Sequence, residues 1–123
     1  MSSGKEKAKL KACSTANVFI HSHNSDSAEE TFTILMQNTN VKVERIVSSG
    51  QVTPVHKPYI QENDEWVVLL QGEAEIKTDE DIFRLKNGDS LFIPAGLPHW
   101  VTYTSKKPEC IWIAVHDQAK AGT

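Results

Sequence analysis

Short apolar segments separated by turn residues restrict the fold of this chain more than any other feature of its sequence. From residue 31 onward, eight segments of four to eight residues are rich in apolar or β-branched side chains: 31–36, 41–48, 65–70, 73–78, 82–85, 90–93, 99–104 and 110–115. Glycine, proline, asparagine and aspartate are common in the breaks between them, and Asn87-Gly88 is a strong turn signal. Segments spaced at about 8–12 residues are typical of an antiparallel sandwich or barrel. We therefore predict an all-β fold without a helix longer than a turn or two.

The length and composition of the chain predict a single folded domain. Its 123 residues, 39% of them hydrophobic, suffice for one small core but leave no room for a second. Residues 1–15 are mostly polar and begin with alternating lysines, so we predict a flexible leader there and one domain over residues 16–118. Because no apolar segment of the secretory type precedes this domain, we expect a cytoplasmic protein.

Charge and hydropathy argue against two other classes of protein. The net charge is −3 and the isoelectric point is near 5.9, whereas a nucleic-acid-binding module normally presents a basic face. The longest apolar runs have five residues, whereas a membrane-spanning helix needs about 18. We therefore expect neither nucleic acid nor a membrane as a partner. Cys13 and Cys110 form no metal-type pair, and we expect both thiols to be reduced.

Three polar residues share strand faces with apolar neighbours: His56, Glu65 and His99. Alternate residues of a strand point to the same side, so these three side chains point inward if their faces line the barrel interior. A lone buried carboxylate is costly and needs a partner. Imidazole and carboxylate groups from different strands can converge on one metal ion.

The spacing of these residues resembles the two motifs of the cupin family. The first motif is matched by Gly50-x5-His56 and Glu65-x6-Gly72. The second is matched by Gly88-x5-Pro94-x-Gly96-x2-His99. The resemblance implies a double-stranded β-helix, or jelly-roll barrel. It also implies a metal ion in the barrel lumen, held by the first motif's histidines and glutamate and by the second motif's histidine.

The first motif departs from the cupin pattern at one ligand position. Cupins normally carry His-x-His there, and this chain has Pro58 in place of the second histidine. Glu65 matches the motif by its distance from Gly72, but Glu62 or Asp64 remains an alternative ligand. Two histidines and one carboxylate suit a divalent ion such as Fe, Mn, Zn or Ni, whose identity stays open. Because one ligand is lost, a site without metal is the alternative.

Five further residues are candidates for a site, each with a structural alternative. Arg45 shares a face with valines; if that face is internal, its guanidinium can hold a substrate carboxylate or phosphate, and otherwise it forms an ion pair. Tyr103 is a candidate pocket hydroxyl or a packing aromatic at the rim. His21 and His23 lie in a polar segment that predicts a solvated loop. His116 shares a face with Trp112 and Ala114 near the end of the last strand; we expect an edge histidine there, and a position at the barrel mouth is the alternative.

Apolar side chains on the predicted outer face of the barrel favour a homodimer. Trp66, Val68 and Leu70 alternate with inward residues, and residues 111–115 are apolar on both faces. A strand that is apolar on both sides must be covered on both sides. We expect a second copy to supply the cover. Coverage by residues 16–36 of the same chain is the alternative.

Two functions follow from the resemblance. The first is a single-domain cupin enzyme in which the metal helps to transform a small polar or acidic metabolite, as an oxygenase, isomerase or lyase. The second is a non-catalytic and metal-free cupin that binds a small molecule. A fold by itself does not determine a reaction, so the sequence leaves the reaction open.

Overall fold

Two antiparallel β-sheets make up the fold in a computed structural model that describes residues 12–119. The eight strands are β1 (Thr31–Gln37), β2 (Val41–Ser48), β3 (Glu65–Gln71), β4 (Ala74–Lys77), β5 (Ile82–Leu85), β6 (Ser90–Ile93), β7 (Trp100–Thr104) and β8 (Cys110–Asp117). Each lies within two residues of a segment predicted from the sequence, and the all-β prediction is confirmed. Most of the predicted leader lies outside the described residues.

The order of the strands gives the jelly roll that the resemblance implied. The larger sheet has the order β1-β2-β8-β3-β6, and the smaller sheet has the order β5-β4-β7. Strands distant in sequence are therefore neighbours, as in the eight-residue ladder between β2 and β8. In the part of the chain that the structure describes, no helix has the length and apolar character needed to cross a membrane.

The hydrophobic core lies between the two sheets and follows the two-residue repeat of the strands. In β3, Val67 and Leu69 point inward and are 4% and 0% exposed, whereas Trp66 points outward and is 42% exposed. Ile76 from the smaller sheet and Trp112 from β8 belong to the same core cluster. The alternation brings the first residue of β3, Glu65, to the same inner side as Val67.

The segment before β1 packs over the outer side of the larger sheet. The Arg45 guanidinium on β2 donates hydrogen bonds to the carbonyl oxygens of Val18 and Ile20 at 3.3 and 3.0 Å. His21 Nε2 lies 2.9 Å from Glu109 Oε1, and His23 bonds side-chain hydroxyls at 2.7 and 2.9 Å. These histidines therefore fasten the segment to the sheet, where the sequence predicted a solvated loop.

Two turn glycines adopt positive φ angles in very different surroundings. Gly72, between β3 and β4, has φ +101°, and an added Cβ would lie 2.9 Å from the Cys110 Cα and from the Ser105 Oγ. Gly88, between β5 and β6, has φ +90°, and an added Cβ would meet no atom within 4 Å. Both positions disfavour a side chain because of the backbone conformation, and Gly72 also because of the close approach.

We expect Gly72→Ala to destabilise the protein more than Gly88→Ala. The Gly88→Ala variant carries the cost of the left-handed conformation alone, about 1 kcal/mol. The Gly72→Ala variant adds a clash with backbone, which brings the loss to about 2–4 kcal/mol. Urea unfolding monitored by tryptophan fluorescence measures both. Equal losses would show that the packing against Cys110 is unimportant.

Candidate functional site

A cavity of 80 Å³ lies between the two sheets. Both sheets supply its apolar walls, for example through Ile46, Val67, Ile76, Val101 and Trp112. Seven polar residues line it among these apolar walls: Glu30, Glu44, Tyr59, Gln61, Glu65, His99 and His116. An apolar cavity with a few convergent polar groups is the usual form of a small-molecule site.

Glu65 places a carboxyl group on the apolar inner face of β3. Its backbone pairs with Ile93 of β6 and with His116 of β8, and the residue is 7% exposed. Burial raises the pKa of Glu65 above its ordinary value of 4.5, because the charged form loses its contact with water. His116 and His99 act in the opposite direction, and Glu44 adds to the rise in pKa.

His116 lies between two carboxyl groups at one side of the cavity. Its Nε2 is 2.8 Å from Glu44 Oε1 and 4.0 Å from Glu65 Oε2. The expectation of an edge histidine is therefore wrong, because β8 extends to Asp117 and carries His116 inward. Glu44 was missed because the valines of β2 marked the opposite face as the inner one. That valine face instead lies toward the N-terminal segment.

His99 is held rigidly and presents one ring nitrogen to the cavity. Its Nδ1 lies 3.0 Å from the Leu97 carbonyl oxygen, which can only accept, so Nδ1 carries the proton in the neutral ring. Among the described residues nothing bonds its Nε2, and the side chain is 4% exposed. The Tyr59 ring stacks on it at 5.6 Å, and two backbone hydrogen bonds join these residues. His99 therefore offers a fixed proton acceptor.

Glu30 and Gln61 add two more acceptor groups to the lining. Burial raises the pKa of Glu30, while a hydrogen bond donated by the Ser48 hydroxyl acts against the rise. Trp112 Nε1 donates to the same hydroxyl oxygen at 3.3 Å. The Gln61 side-chain oxygen is buried, and no described residue donates a hydrogen bond to it.

His56 does not join Glu65 and His99 in the structure. It is exposed and lies in a turn closed by a hydrogen bond from Lys57 N to the Pro54 carbonyl oxygen at 3.0 Å. Proline lacks a backbone donor and disfavours a continued strand, so residues 54–58 form a turn and not a barrel strand. The expectation that His56 faces the interior is corrected accordingly.

The remaining predicted residues also lie away from the cavity lining. Glu62 is exposed, and Asp64 Oδ1 accepts a hydrogen bond from Ala95 N at 2.8 Å. Arg45 bonds the N-terminal segment, so it does not face a cavity ligand. Tyr103 is 50% exposed because a bulge in the β4–β7 pairing shifts it off the face that carries Val101.

The side chains of the cavity do not fit the metal ion that the resemblance implied. In residues 12–119, no three histidine, cysteine, aspartate or glutamate side chains are grouped so that they could hold one. Of the three ligands that the resemblance implied in this chain, His56 is exposed and is not in the cavity lining. The other histidine of the lining, His116, is hydrogen-bonded to Glu44 through its Nε2. The donor set is suited to hydrogen bonding and proton transfer by the side chains themselves.

Comparisons with known proteins agree with the fold and with its family resemblance. A family model described as a cupin domain matches residues 45–116. A solved structure from Ralstonia eutropha, a candidate mannose-6-phosphate isomerase, is 32% identical, with a TM-score of 0.80. The match covers 87% of this chain and 100% of that one. A cupin superfamily protein of Desulfitobacterium hafniense is 19% identical, with a TM-score of 0.70 and coverage of 91% and 100%.

Two further matches are a solved structure with a lower TM-score and a relative that is similar over part of its sequence. KdgF of a Halomonas species is 18% identical, with a TM-score of 0.66 and coverage of 81% of this chain and 90% of that one. An uncharacterised protein of Methanocaldococcus jannaschii is 34% identical over 65 residues, which is 53% of this chain. That match spans 50% of the relative, so the chain corresponds to about half its length.

We expect Glu65→Gln to stabilise the protein above pH 4.5. Below that pH the carboxyl is protonated in both the folded and unfolded states and costs little. As the pH rises through and beyond the raised pKa of Glu65, the folded state must bury a charge that the unfolded state keeps in water. The melting temperature of the variant should therefore exceed that of the wild type at pH 8 and converge with it near pH 4.

The matched control is Glu62→Gln, which removes an exposed carboxylate three positions away. Its melting curve should follow that of the wild type at every pH. A Glu65→Gln variant less stable than the wild type at pH 8 would contradict the raised pKa.

Proposed function

The chain belongs to the cupin family, and on that premise we propose that its cavity binds a small polar molecule and moves a proton on it without a metal ion. One observation carries the proposal: the Glu65 carboxyl group and the Nε2 atom of His99, which has no described hydrogen-bond partner, face the same buried cavity. Burial favours the protonated carboxyl of Glu65, whereas the free Nε2 of His99 is an acceptor. Such a pair is suited to general acid and general base catalysis.

In this reaction His99 Nε2 takes a proton from the bound molecule and Glu65 returns one from its carboxyl group. The bond from Nδ1 to the Leu97 carbonyl and the stacked Tyr59 ring keep the acceptor aimed at the cavity. The apolar walls exclude water and strengthen these interactions. The class of reaction is an isomerisation by proton transfer, one of the three classes that the sequence left open.

The Ralstonia eutropha relative supports the isomerase class but not a phosphorylated substrate for this chain. The described cavity lining contains neither lysine nor arginine, and Arg45 is engaged with the N-terminal segment. A phosphate or carboxylate group would face the acidic side chains Glu30, Glu44 and Glu65. We therefore propose a substrate without a phosphate or carboxylate group. Of the small polar or acidic metabolites expected from the sequence, this excludes the acidic ones.

Deuterium exchange tests the proton transfer directly. The purified protein, treated with a chelator, is incubated in D2O with a panel of small hydroxy-carbonyl and amino compounds and followed by proton NMR. We expect at least one compound to exchange a carbon-bound proton. His99→Asn should slow this exchange by about 10²-fold or more, since it removes the base.

His56→Asn is the matched control, because His56 is exposed outside the cavity. This variant should exchange at the wild-type rate. If exchange requires an added divalent ion and is lost with His56→Asn, the metal site expected from the sequence is restored and the proposal is wrong. If no compound exchanges, the non-catalytic binding protein is the better description.

A second proposal concerns the outer face of the larger sheet, which we propose as the interface of a homodimer. The strand registers place one apolar row across all five strands: Met36, Val43, Val115, Trp66 and Phe92. Met36, Trp66 and Phe92 are 50%, 42% and 57% exposed. The N-terminal segment is bonded to Arg45, which lies in the neighbouring row, so it leaves Met36, Trp66 and Phe92 uncovered. Exposed apolar rows of this kind usually mark an interface.

Sedimentation equilibrium measures the assembly. We expect a mass twice the 13.7 kDa of the chain for the wild type, and the mass of one chain for Trp66→Asp, which places a charge in the row. Ile82→Asp is the control, because Ile82 is equally exposed at 55% but lies on the smaller sheet. A wild-type protein that stays monomeric, or a dimer broken only by Ile82→Asp, would refute this interface.

A further inference from the structure

The charges around the cavity favour a positively charged ligand. Glu30, Glu44 and Glu65 contribute three carboxyl groups to the lining, and His99 and His116 contribute two imidazoles. The three carboxyl groups can carry more negative charge than the two imidazoles can carry positive charge, and no lysine or arginine belongs to the described lining. Buried carboxyl groups need partners: Glu44 has His116 at 2.8 Å, Glu30 accepts a hydrogen bond from the Ser48 hydroxyl, and Glu65 lies 4.0 Å from His116. A cationic ligand would give Glu30 and Glu65 a closer partner of opposite charge.

The hydrogen-bonding groups of the cavity favour a ligand that donates. His99 Nε2 is an acceptor without a described partner, and the buried Gln61 Oε1 also lacks a described donor. An acceptor buried without a donor is destabilising, so a ligand that supplies N–H groups recovers this loss. The Glu65 carboxylate, 7% exposed, adds acceptor atoms to the same space.

Aromatic rings complete the walls around these acceptors. Phe32 and Tyr59 line the cavity and are 53% and 41% exposed, so they stand at its mouth, while Trp112 is 4% exposed at its depth. The faces of such rings attract cations. At 80 Å³ the space is about half of a cavity that holds benzene, which corresponds to about three non-hydrogen atoms.

From these observations we infer that the cavity takes the primary ammonium group of a small organic amine, with the rest of the molecule extending past Phe32 and Tyr59. An ammonium group supplies a positive charge opposite the carboxyl groups. It also supplies N–H donors for Gln61 Oε1 and His99 Nε2. Its size suits the space, whereas a planar guanidinium with its substituent is larger. The inference rests on the proposed function in that it names the ligand of the same site.

Titration with methylammonium chloride, followed in ¹H–¹⁵N NMR spectra of the full chain at constant ionic strength, tests the inference. We expect saturable shifts at the backbone amides of Tyr59, Glu65 and His99. Methanol, sodium acetate and tetramethylammonium chloride are the matched probes, since they lack the charge, reverse it, or lack the N–H donors. Each should bind at least tenfold more weakly than methylammonium.

Two cavity variants and one control locate the binding. Glu65→Gln removes an ionisable carboxyl group that could pair with the ammonium group. Gln61→Met removes the unpartnered acceptor at similar size. Each variant should weaken methylammonium binding at least tenfold. Glu62→Gln, which alters an exposed carboxylate, should leave it unchanged. The unliganded spectra show whether each variant remains folded.

Three results would overturn the inference: no saturable shift with methylammonium, methanol binding as tightly, or equal weakening by Glu62→Gln. Tight methanol binding would assign the cavity to neutral hydroxyl compounds. Because the titration detects binding and the deuterium experiment detects proton transfer, their failures are distinguishable. Methylammonium binding without any exchange supports the ammonium site and contradicts the catalytic proposal.

Discussion

The burial of the Glu65 carboxyl group is the interaction on which the rest of the site depends. Glu65 begins β3 in phase with Val67 and Leu69, so the alternation that forms the core also carries a carboxyl group into it. Removing this carboxyl from water raises its pKa and leaves its oxygen atoms in need of donors. His116 and His99 favour the charged form of this carboxyl group, and we propose that a bound ligand donates hydrogen bonds to it.

The jelly roll brings the partners of Glu65 from distant parts of the chain. His116 arrives because β8 pairs with β3, and Glu44 arrives because β2 pairs with the other edge of β8. His99 lies just before β7 and is held by its bridge to Tyr59. The site thus draws on both sheets, and any change in the register of β8 would move His116 away from its two carboxylates.

The strands and two of the candidate site residues could be predicted from the sequence because they depend on local signals. Period-two alternation and turn residues mark each strand, and the spacing before His99 marks a known motif. Glu65 and His99 consequently line the cavity as their strand faces indicated.

The other site residues depend on tertiary effects that local patterns do not carry. The valine face of β2 is the outer one, where Arg45 bonds the N-terminal segment, so Glu44 on the other face points into the cavity. A bulge in the β4–β7 pairing displaces Tyr103, and prolines on both sides of His56 favour a turn over a strand. His116 was expected at the edge because its contacts with Glu44 and Glu65 depend on the register between strands distant in sequence.

The most direct measurement of the central claim is the titration of the Glu65 side chain by carbon-detected NMR of its carboxyl group. We expect a midpoint above the ordinary value of 4.5, and a shift of that midpoint when His116 is replaced by asparagine, since His116 favours the charged form. A midpoint at or below 4.5, unaffected by His116, would mean that Glu65 behaves as a solvated carboxylate and that the cavity holds no acid and base pair.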